Sequence, residues 1–224
     1  IADDAAGVLT GADCIVVVAP PSDDLVASLE ARHTLLGFLD PLGDPARAQR
    51  IAERGATSFA FELMPRTTRA QSMDALSSQA TVAGYHAVLL AAERSPRLLP
   101  LLMTAAGTVK ARNVLVLGAG VAGLQAIATA RRLGAVVTAF DVREAVREQV
   151  ESLGARFLAI DVVGGEQAGG YATGLDEDQH HREQEALAQA CADADIVITT
   201  AQIPGARAPE LITEAAVRGM RAGS

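Results

Sequence analysis

The sequence predicts an α/β fold in which two domains, each built on a parallel sheet, are joined by a long helix. Short apolar segments bounded by Pro, Gly or Asp alternate with helical patterns along the chain, which is typical of parallel sheets. The apolar run that ends at Leu117 breaks into regularly spaced glycines and then resumes with helical spacing. Between the two strand-rich parts, residues 69–94 contain no Pro and place small or apolar side chains three and four positions apart.

The first part of the chain, residues 1–76, is predicted to be a partial N-terminal α/β domain. Its short buried strands are predicted at residues 14–19, 34–39 and 57–62. Asp44 predicts the start of a helix between the last two strands, since Asp caps helices and the Pro45 that follows suits the first helical position. Gly55 predicts the end of that helix.

A linking helix and a connector are predicted to occupy residues 77–109. The helical pattern itself extends from about Arg69 to Arg94, and Pro96 ends it. The segment 103–109 is predicted to be a loop or an edge strand that leads into the next domain.

Residues 110–224 are predicted to form a second Rossmann-like domain, doubly wound and truncated at its C-terminal end. Its strands are predicted at residues 114–117, 135–140, 157–160 and 195–200. Helices are predicted to begin near Val121, Arg143 and Asp178. Four glycines within residues 164–170 predict a mobile loop. Because the chain begins at a predicted strand and stops where another strand is due, we expect it to be a fragment.

The glycines that follow the long apolar run are spaced as in a dinucleotide-binding turn. Gly118 permits the tight exit from the strand, Gly120 lets the backbone approach a pyrophosphate, and Gly123 lets the helix pack on the strand. The pyrophosphate would then lie at the positive end of the helix. Asp141 ends the next predicted strand and is placed to accept hydrogen bonds from the adenosine ribose. A carboxylate there repels a 2′-phosphate, which favours NAD over NADP, although the nearby Arg143 weakens this argument.

Charge and composition exclude several classes of partner. The 224 residues carry a formal net charge of −8, and no basic cluster is present, which argues against nucleic acid. The longest apolar run, residues 114–130, contains three glycines and Gln125, so no membrane span is predicted in this chain. None of the four histidines stands at a metal-ligand spacing with Cys or Glu. We interpret them as surface or helix residues and predict no metal site.

A second group of polar residues lies where a predicted strand ends and the long helix starts. An Arg and Asp pair at such a place can hold a fixed geometry through charge-assisted hydrogen bonds. A solvated helix cap, with Thr68 or Ser72 at the N-cap, explains the same residues equally well. The residues of this group are Arg66, Arg69, Gln71, Ser72, Asp74 and Ser77.

Residues 65–79 read PRTTRAQSMDALSSQ, the most specific of several motifs that together span nearly the whole chain. The others are Gly84 with Tyr85, MTAAGT at 103–108, GAGVAGLQ at 118–125, EQVESLG at 148–154, GGYA at 169–172 and TTAQIPG at 199–205. In these motifs the chain resembles the NAD(H)-binding alpha component, or domain I, of the proton-translocating nicotinamide nucleotide transhydrogenases, within the alanine dehydrogenase and transhydrogenase superfamily. Gln202 departs from the pattern, which has Leu at that position.

The resemblance implies a role for individual side chains in the first motif. Arg66 and Ser77 hold the nicotinamide carboxamide, Asp74 orients Arg66, and Gln71 reaches toward an NADP(H) nucleotide on a partner component. These four residues form the candidate catalytic set.

The resemblance also implies the NAD(H) contacts. Tyr171 lies on a loop that closes over the nucleotide, for which plain surface flexibility is the alternative interpretation. The nicotinamide pocket is lined by Thr199, Thr200 and Ala201. The remaining cofactor-binding candidates are Gly118, Gly120, Val121, Ala122, Gly123, Asp141, Val142 and Arg143.

By this resemblance the protein belongs to a Re/Si-specific, proton-translocating NAD(P)+ transhydrogenase that transfers hydride from NADH to NADP+. Hydride passes directly between two nicotinamide rings about 3 to 3.5 Å apart, so the reaction needs positioning and exclusion of water rather than an ionisable group. The resemblance further implies a homodimer at the cytoplasmic face of the cell membrane. Separate NADP(H)-binding and membrane components complete the assembly and carry the proton path.

Two other functions stay open. Alanine dehydrogenases resemble this family through both domains, but the positions of their catalytic Lys and His correspond to Ala19 and Asp40 here. An amino-acid dehydrogenase that lacks a proton-donating group would fail at the imine chemistry. The third hypothesis is a nucleotide-binding module that senses the NAD+/NADH ratio without catalysis, against which the intact Arg66, Gln71 and Asp74 argue.

Overall fold

The computed structural model describes residues 4–160, 166–167, 171–172, 177–203 and 205–224. The chain divides into two compact units between Leu76 and Ser77, and the first unit also takes in a short stretch that ends at Arg207. Each unit contains a parallel sheet with helices, so the predicted α/β class is confirmed. The predicted separation of a connector from the second domain stays a prediction.

The first unit alternates short helices with the strands of a three-stranded parallel sheet in the order β1-β2-β3. Its elements are α1 (Ala5–Gly11), β1 (Cys14–Val17), α2 (Asp23–Ala27), β2 (Thr34–Gly37), α3 (Pro45–Glu53) and β3 (Thr57–Ala60). Ile15 of β1 pairs in register with Leu35 of β2. Both side chains pack with Val26, Leu29 and Ile51, which form the buried core of this unit.

The local signals around α3 act as predicted. The Asp44 carboxylate accepts a hydrogen bond of 2.9 Å from the Arg47 N–H, and Pro45 is the first helical residue. Gly55, just past the helix, has a φ of 72°, a conformation that favours Gly. The predicted helix between β2 and β3 is therefore confirmed.

All three strands of the first unit are shorter than predicted at their carboxyl ends. β1, β2 and β3 stop at Val17, Gly37 and Ala60 rather than at residues 19, 39 and 62. Past these points the backbone leaves the sheet: Asp40 adopts a φ of 52°, and Phe61–Leu63 form a 3-10 turn. Apolar composition continues where backbone pairing has ended, so the pattern overestimated the strands.

The second unit contains a four-stranded, fully parallel sheet in the order β11-β6-β7-β8. The elements from the unit boundary onward are α4 (Ala75–Arg94), β4 (Leu102–Thr104), β5 (Gly107–Val109), β6 (Asn113–Leu117), α5 (Val121–Arg132), β7 (Val136–Phe140), α6 (Arg147–Ser152), β8 (Arg156–Phe157), β9 (Glu166–Gln167), β10 (Tyr171–Ala172), α7 (Glu177–Asp193), β11 (Ile196–Thr199) and α8 (Glu214–Gly219). The short pairs β4–β5 and β9–β10 are antiparallel and lie outside this sheet.

The central strand β6 is buried on both faces. Val114 and Val116 pack into one core cluster with Ile127 of α5, whereas Leu115 and Leu117 pack into a second cluster with Leu187 of α7. A strand covered by helices on both faces needs apolar side chains at successive positions, which explains the unbroken apolar run in the sequence.

α4 begins later than the sequence predicts. The helical pattern starts near Arg69, but Gln71–Met73 form a 3-10 turn, Asp74 leaves the helical region with a ψ of 80°, and the helix starts at Ala75. Short polar side chains favour turns over helix because they offer the backbone alternative hydrogen bonds. Within the described part of the chain, no helix combines the length and hydropathy that crossing a bilayer requires.

Other boundaries in the second unit also differ from prediction. Residues 103–109, predicted to be a loop or edge strand, lie on a hairpin in which Leu102 pairs with Val109. The edge strand β8 covers Arg156–Phe157 rather than 157–160, because its pairing with β7 stops there. The helix expected near Arg143 begins at Arg147 after a 3-10 turn.

His33 is buried, so its interpretation as a surface or helix residue is wrong. Its Nδ1 accepts a 2.9 Å hydrogen bond from the Glu30 N–H, and its Nε2 lies 3.1 Å from the Leu9 carbonyl oxygen. Because both ring nitrogens have partners, the ring can be buried without leaving a polar atom unsatisfied.

A buried ion pair links the starts of β6 and β11. Arg112 Nη1 donates to Asp195 Oδ1 at 2.6 Å, and Asp195 Oδ2 accepts from the Asn113 N–H at 2.9 Å. Arg112 Nη2 also donates to Ser95 Oγ at 3.2 Å, just past the end of α4. This pair therefore joins two strands and a helix end at the amino edge of the sheet.

Candidate functional site

The carboxyl ends of β6, β7 and β11 meet at one edge of the sheet. Leu117 pairs in register with Phe140 of β7 and with Thr199 of β11. Beyond the strands, the Gly118 N–H donates to the Phe140 carbonyl at 2.8 Å, and the Thr200 N–H donates to the Leu117 carbonyl at 2.7 Å. Chain order changes direction at β6, and ligands of open α/β sheets bind at such a switch point.

Packing within the protein requires two of the three motif glycines. Gly118 has a φ of 95°, and a Cβ there would lie 2.8 Å from Thr200 Oγ1. A Cβ on Gly123 would lie 1.8 Å from the Gly118 carbonyl oxygen, so any larger residue would push α5 away from the turn. The Thr200 hydroxyl donates to that same Gly118 carbonyl at 2.9 Å. Thr200 therefore ties the end of β11 to the turn.

Gly120 is different, because a Cβ on it would meet no described atom of the protein within 4 Å. It is the N-cap residue of α5, and the first hydrogen bond inside the helix runs from the Leu124 N–H to the Gly120 carbonyl. The N–H groups of Val121, Ala122 and Gly123 precede that bond, so they have no acceptor within the helix. Open space beside the N–H groups of a helix start suits an anion such as a phosphate.

Asp141 directly follows β7 and faces the same turn. Its Oδ2 accepts a 2.7 Å hydrogen bond from the Ala119 N–H, and its Oδ1 accepts one of 2.9 Å from the Arg143 N–H. The Arg143 guanidinium binds both carboxylate oxygens, with Nε to Oδ1 and Nη2 to Oδ2 each at 2.9 Å. Asp141 thus connects the β7 end, the glycine turn and Arg143.

The protonation of Asp141 follows from these contacts. Burial acts to raise the pKa of the Asp141 carboxyl, but the hydrogen bonds from Arg143 and from the Ala119 N–H outweigh burial, and the pKa lies below its usual value. Asp141 is consequently ionised at neutral pH and can act only as a hydrogen-bond acceptor.

Ala119 is a functional residue that the sequence reasoning missed. Its backbone N–H, at a residue only 1% exposed, aims the Asp141 carboxylate. The available signal was its place between Gly118 and Gly120, where the backbone turns toward the next strand. Reasoning from side chains overlooked it, because the contact uses the main chain.

The other candidate cofactor contacts in the second unit lie near these strand ends or on β10. Thr199 is the last residue of β11, and Ala201 and Val142 are partly buried against the second core cluster. Tyr171 is on β10 and pairs with Gln167. The glycine-rich segment 164–170 falls largely outside the described residues, so the predicted mobile loop stays a prediction.

The candidate catalytic residues follow β3 and lead into α4. Two turn hydrogen bonds shape this loop, from the Ala70 N–H to the Thr67 carbonyl at 3.0 Å and from the Met73 N–H to the Ala70 carbonyl at 2.8 Å. Ala70 is buried and anchors the loop. On either side of it Arg66 and Gln71 are exposed, while Asp74 and Ser77 are half-buried. The proposed pairing of Asp74 with Arg66 stays a prediction.

Arg66, Gln71 and Asp74 belong to the first compact unit, and Ser77 is the first residue of the second. Within the second unit, the structure brings Gly118, Gly123 and Thr200 into contact and joins Asp141 to Arg143. The described residues contain no group of His, Cys, Asp and Glu suited to a metal ion.

Family profiles match almost the whole chain. The N-terminal domain profile of alanine dehydrogenase/PNT covers residues 1–83, and the C-terminal domain profile covers residues 87–224. The chain belongs to the alanine dehydrogenase/PNT family. The resemblance inferred from the sequence motifs is thereby confirmed.

Within the alanine dehydrogenase/PNT family, the chain is most usefully compared with three proteins. It is 48% identical over 232 residues to an NAD(P) transhydrogenase subunit alpha of Rhodospirillum rubrum, an alignment that covers 100% of this chain and 60% of that protein. The crystal structure of transhydrogenase from Sinorhizobium meliloti superposes with a TM-score of 0.78 and 48% identity, over 95% of this chain and 57% of that one. Alanine dehydrogenase of Halomonas elongata is 29% identical over 99% of this chain and 55% of its own length. The chain therefore spans about three fifths of the length of its transhydrogenase relative.

Proposed function

We propose that this chain is the NAD(H)-binding component of a proton-translocating nicotinamide nucleotide transhydrogenase, in which hydride passes from NADH to NADP+ on a partner component. The observation that carries the proposal is the turn between β6 and α5, where Gly120 leaves open space beside the N–H groups of a helix start. Family membership and 48% identity to a transhydrogenase alpha subunit support the same activity.

The residues of the second unit fit an NAD(H) molecule. Protein packing accounts for Gly118 and Gly123 but not for Gly120, and close approach of a pyrophosphate supplies the missing reason. The ionised Asp141 suits ribose hydroxyls, which donate hydrogen bonds, and disfavours a 2′-phosphate. The reduced nicotinamide, when bound, supplies the hydride. The residues of the chain bind it, orient it and keep water away.

The loop after β3 supplies the proposed orienting groups. Arg66 and Ser77 hold the nicotinamide carboxamide, Asp74 orients Arg66, and Gln71 reaches toward the second nucleotide. A guanidinium and an amide can do this without changing protonation, which suits a direct hydride transfer. Thr199, Thr200 and Ala201 line the nicotinamide pocket, and Tyr171 belongs to a segment that closes over it.

The proposal includes a homodimer, NADP(H)-binding and membrane components, and a place at the cytoplasmic face of the cell membrane. Exposed apolar side chains on and before the β4–β5 hairpin support a contact with a second copy. Met103 is 81% exposed, and Leu98 and Leu101 are each more than half exposed. Contiguous apolar surface of this kind is typical of protein interfaces.

Reconstitution tests the proposed activity. The protein is mixed with an NADP(H)-binding transhydrogenase component, and hydride transfer from NADH is followed optically. We expect transfer only when both components and both nucleotides are present. If NADH binds but no hydride passes with the second component in excess, the activity is refuted and the sensing module becomes the better explanation.

Alanine dehydrogenase is the second candidate because the chain shares that fold and family. Its catalytic positions argue against it. Ala19 follows β1 and carries only a methyl group, and the Asp40 carboxylate accepts a 3.2 Å hydrogen bond from the Gly43 N–H within its own turn. Neither replaces the proton-donating group that imine chemistry needs. Oxidation of NADH with pyruvate and ammonia by the protein alone would establish this activity instead.

A further inference from the structure

Every acceptor position of the Asp141 carboxylate is engaged in the structure. Oδ1 accepts from the Arg143 N–H and from Arg143 Nε, and Oδ2 accepts from the Ala119 N–H and from Arg143 Nη2. A carboxylate has about four lone-pair sites. The hydroxyls of an adenosine ribose therefore cannot bind Asp141 until one of these four donors leaves.

The four donors differ in how easily they can leave. The Ala119 N–H lies in the buried turn after β6, and the Arg143 N–H lies in the chain just after β7, so the backbone fixes both. The other two donors belong to the Arg143 guanidinium, which rotatable bonds carry. The guanidinium side chain is 12% exposed and the Asp141 side chain 7% exposed, so the fork is the part that a ligand from solvent can displace.

We propose that Arg143 is a specificity-determining residue that competes with the nucleotide ribose for Asp141. This inference rests on the nucleotide site proposed above. When NADH binds, the guanidinium releases at least one Asp141 oxygen, and the ribose hydroxyls take its place. NADH affinity is the net result of that exchange.

The same exchange affects discrimination against NADP(H). A 2′-phosphate cannot donate to Asp141, and the carboxylate repels it. The displaced guanidinium, however, offers the planar donors that bind phosphate well. Arg143 thus weakens NADH binding and permits residual NADPH binding, so its removal changes the two affinities in opposite directions.

Equilibrium titrations with NADH and NADPH test this in the full chain. The variants are Arg143→Met, which keeps the aliphatic length but removes the fork, together with Asp141→Asn and the double variant. We expect Arg143→Met to bind NADH about three- to tenfold more tightly and NADPH more weakly by a similar factor. In the Asp141→Asn background the gain for NADH should vanish, since no carboxylate remains to compete for.

Each other outcome refutes the competition. Unchanged or weaker NADH binding in Arg143→Met would mean that the guanidinium supports the nucleotide or ignores it. An equal gain in the Asp141→Asn background would place the effect elsewhere. Thermal unfolding without nucleotide checks that each variant folds, and Arg143→Lys, which loses the two-pronged contact but keeps the charge, replaces Arg143→Met if that variant does not. If the wild-type chain itself fails to bind NADH, the proposed function falls instead.

Discussion

Gly120 and Gly123 carry different duties within the same motif, and alanine separates them. Gly120→Ala should leave the thermal stability near that of the wild type, because its Cβ meets no described atom within 4 Å, but should weaken NADH binding by about tenfold or more. Gly123→Ala should lower the free energy of unfolding by about 1–3 kcal/mol, because its Cβ would overlap the Gly118 carbonyl. Calorimetry and NADH titration measure both. A stable Gly120→Ala that binds NADH normally would remove the pyrophosphate from this turn.

The lowered pKa of Asp141 makes stability depend on pH. A carboxyl whose folded pKa lies below its unfolded value stabilises the protein above the unfolded pKa, and that contribution is lost as pH falls through the folded pKa. We expect the wild type to lose stability below the usual carboxyl range more steeply than Asp141→Asn does. Urea unfolding in a pH series from neutral to acid checks this. Parallel curves for the two proteins would contradict the paired, ionised state of Asp141.

The approach of α4 to α5 depends on Gly84. A Cβ on Gly84 would lie 2.1 Å from the Ala122 carbonyl oxygen, in the first turn of α5. Gly84→Ala should therefore lower the melting temperature and, by shifting the helix start that faces the phosphates, weaken NADH binding. Gly219→Ala is the matched control, because its Cβ would meet no described atom within 4 Å at an exposed helix end. Similar behaviour of the two variants would show that α4 and α5 tolerate separation.

The ion pair between Arg112 and Asp195 holds β6, β11 and the end of α4 together. Arg112→Met should lower the free energy of unfolding by about 3–5 kcal/mol, because it leaves the buried Asp195 carboxylate without its cation. Adding Asp195→Asn should restore part of that loss, since the amide oxygen can still accept from the Asn113 N–H. Denaturant unfolding of the three variants compares them. No recovery in the double variant would mean that Arg112 acts through packing rather than charge.

Across the whole molecule, the proposed reaction separates residues that bind one nucleotide from residues that join two. Gln71→Asn should slow hydride transfer far more than it weakens NADH binding, because Gln71 is proposed to act at the junction of the two nucleotides. Asp141→Asn should do the reverse, with weaker NADH binding and little change in transfer at saturation. Stopped-flow transfer rates beside equilibrium titrations distinguish them. Equal losses of binding and transfer in Gln71→Asn would argue against its role.

Local rules were sufficient for much of the fold. Asp44, Pro45 and Gly55 specify α3 because capping, a fixed φ and a positive φ act within one turn of chain. The strand, glycine turn and helix from Asn113 to Arg132 were predicted nearly to the residue for the same reason. Element ends were less predictable, since α4 starts at Ala75 and β8 ends at Phe157 where pairing and turn hydrogen bonds decide.

The sequence by itself determined the α/β class, the glycine turn, the family and the choice of Asp141 as the candidate ribose acceptor, because periodicity, glycine spacing and motif identity are written in neighbouring residues. The tertiary structure alone decided what meets across distance. It buried His33 against Leu9, paired Arg112 with Asp195 and turned the Ala119 N–H onto Asp141. It also placed the Arg143 fork on that carboxylate. Such contacts depend on how separate strands align, which no local pattern encodes.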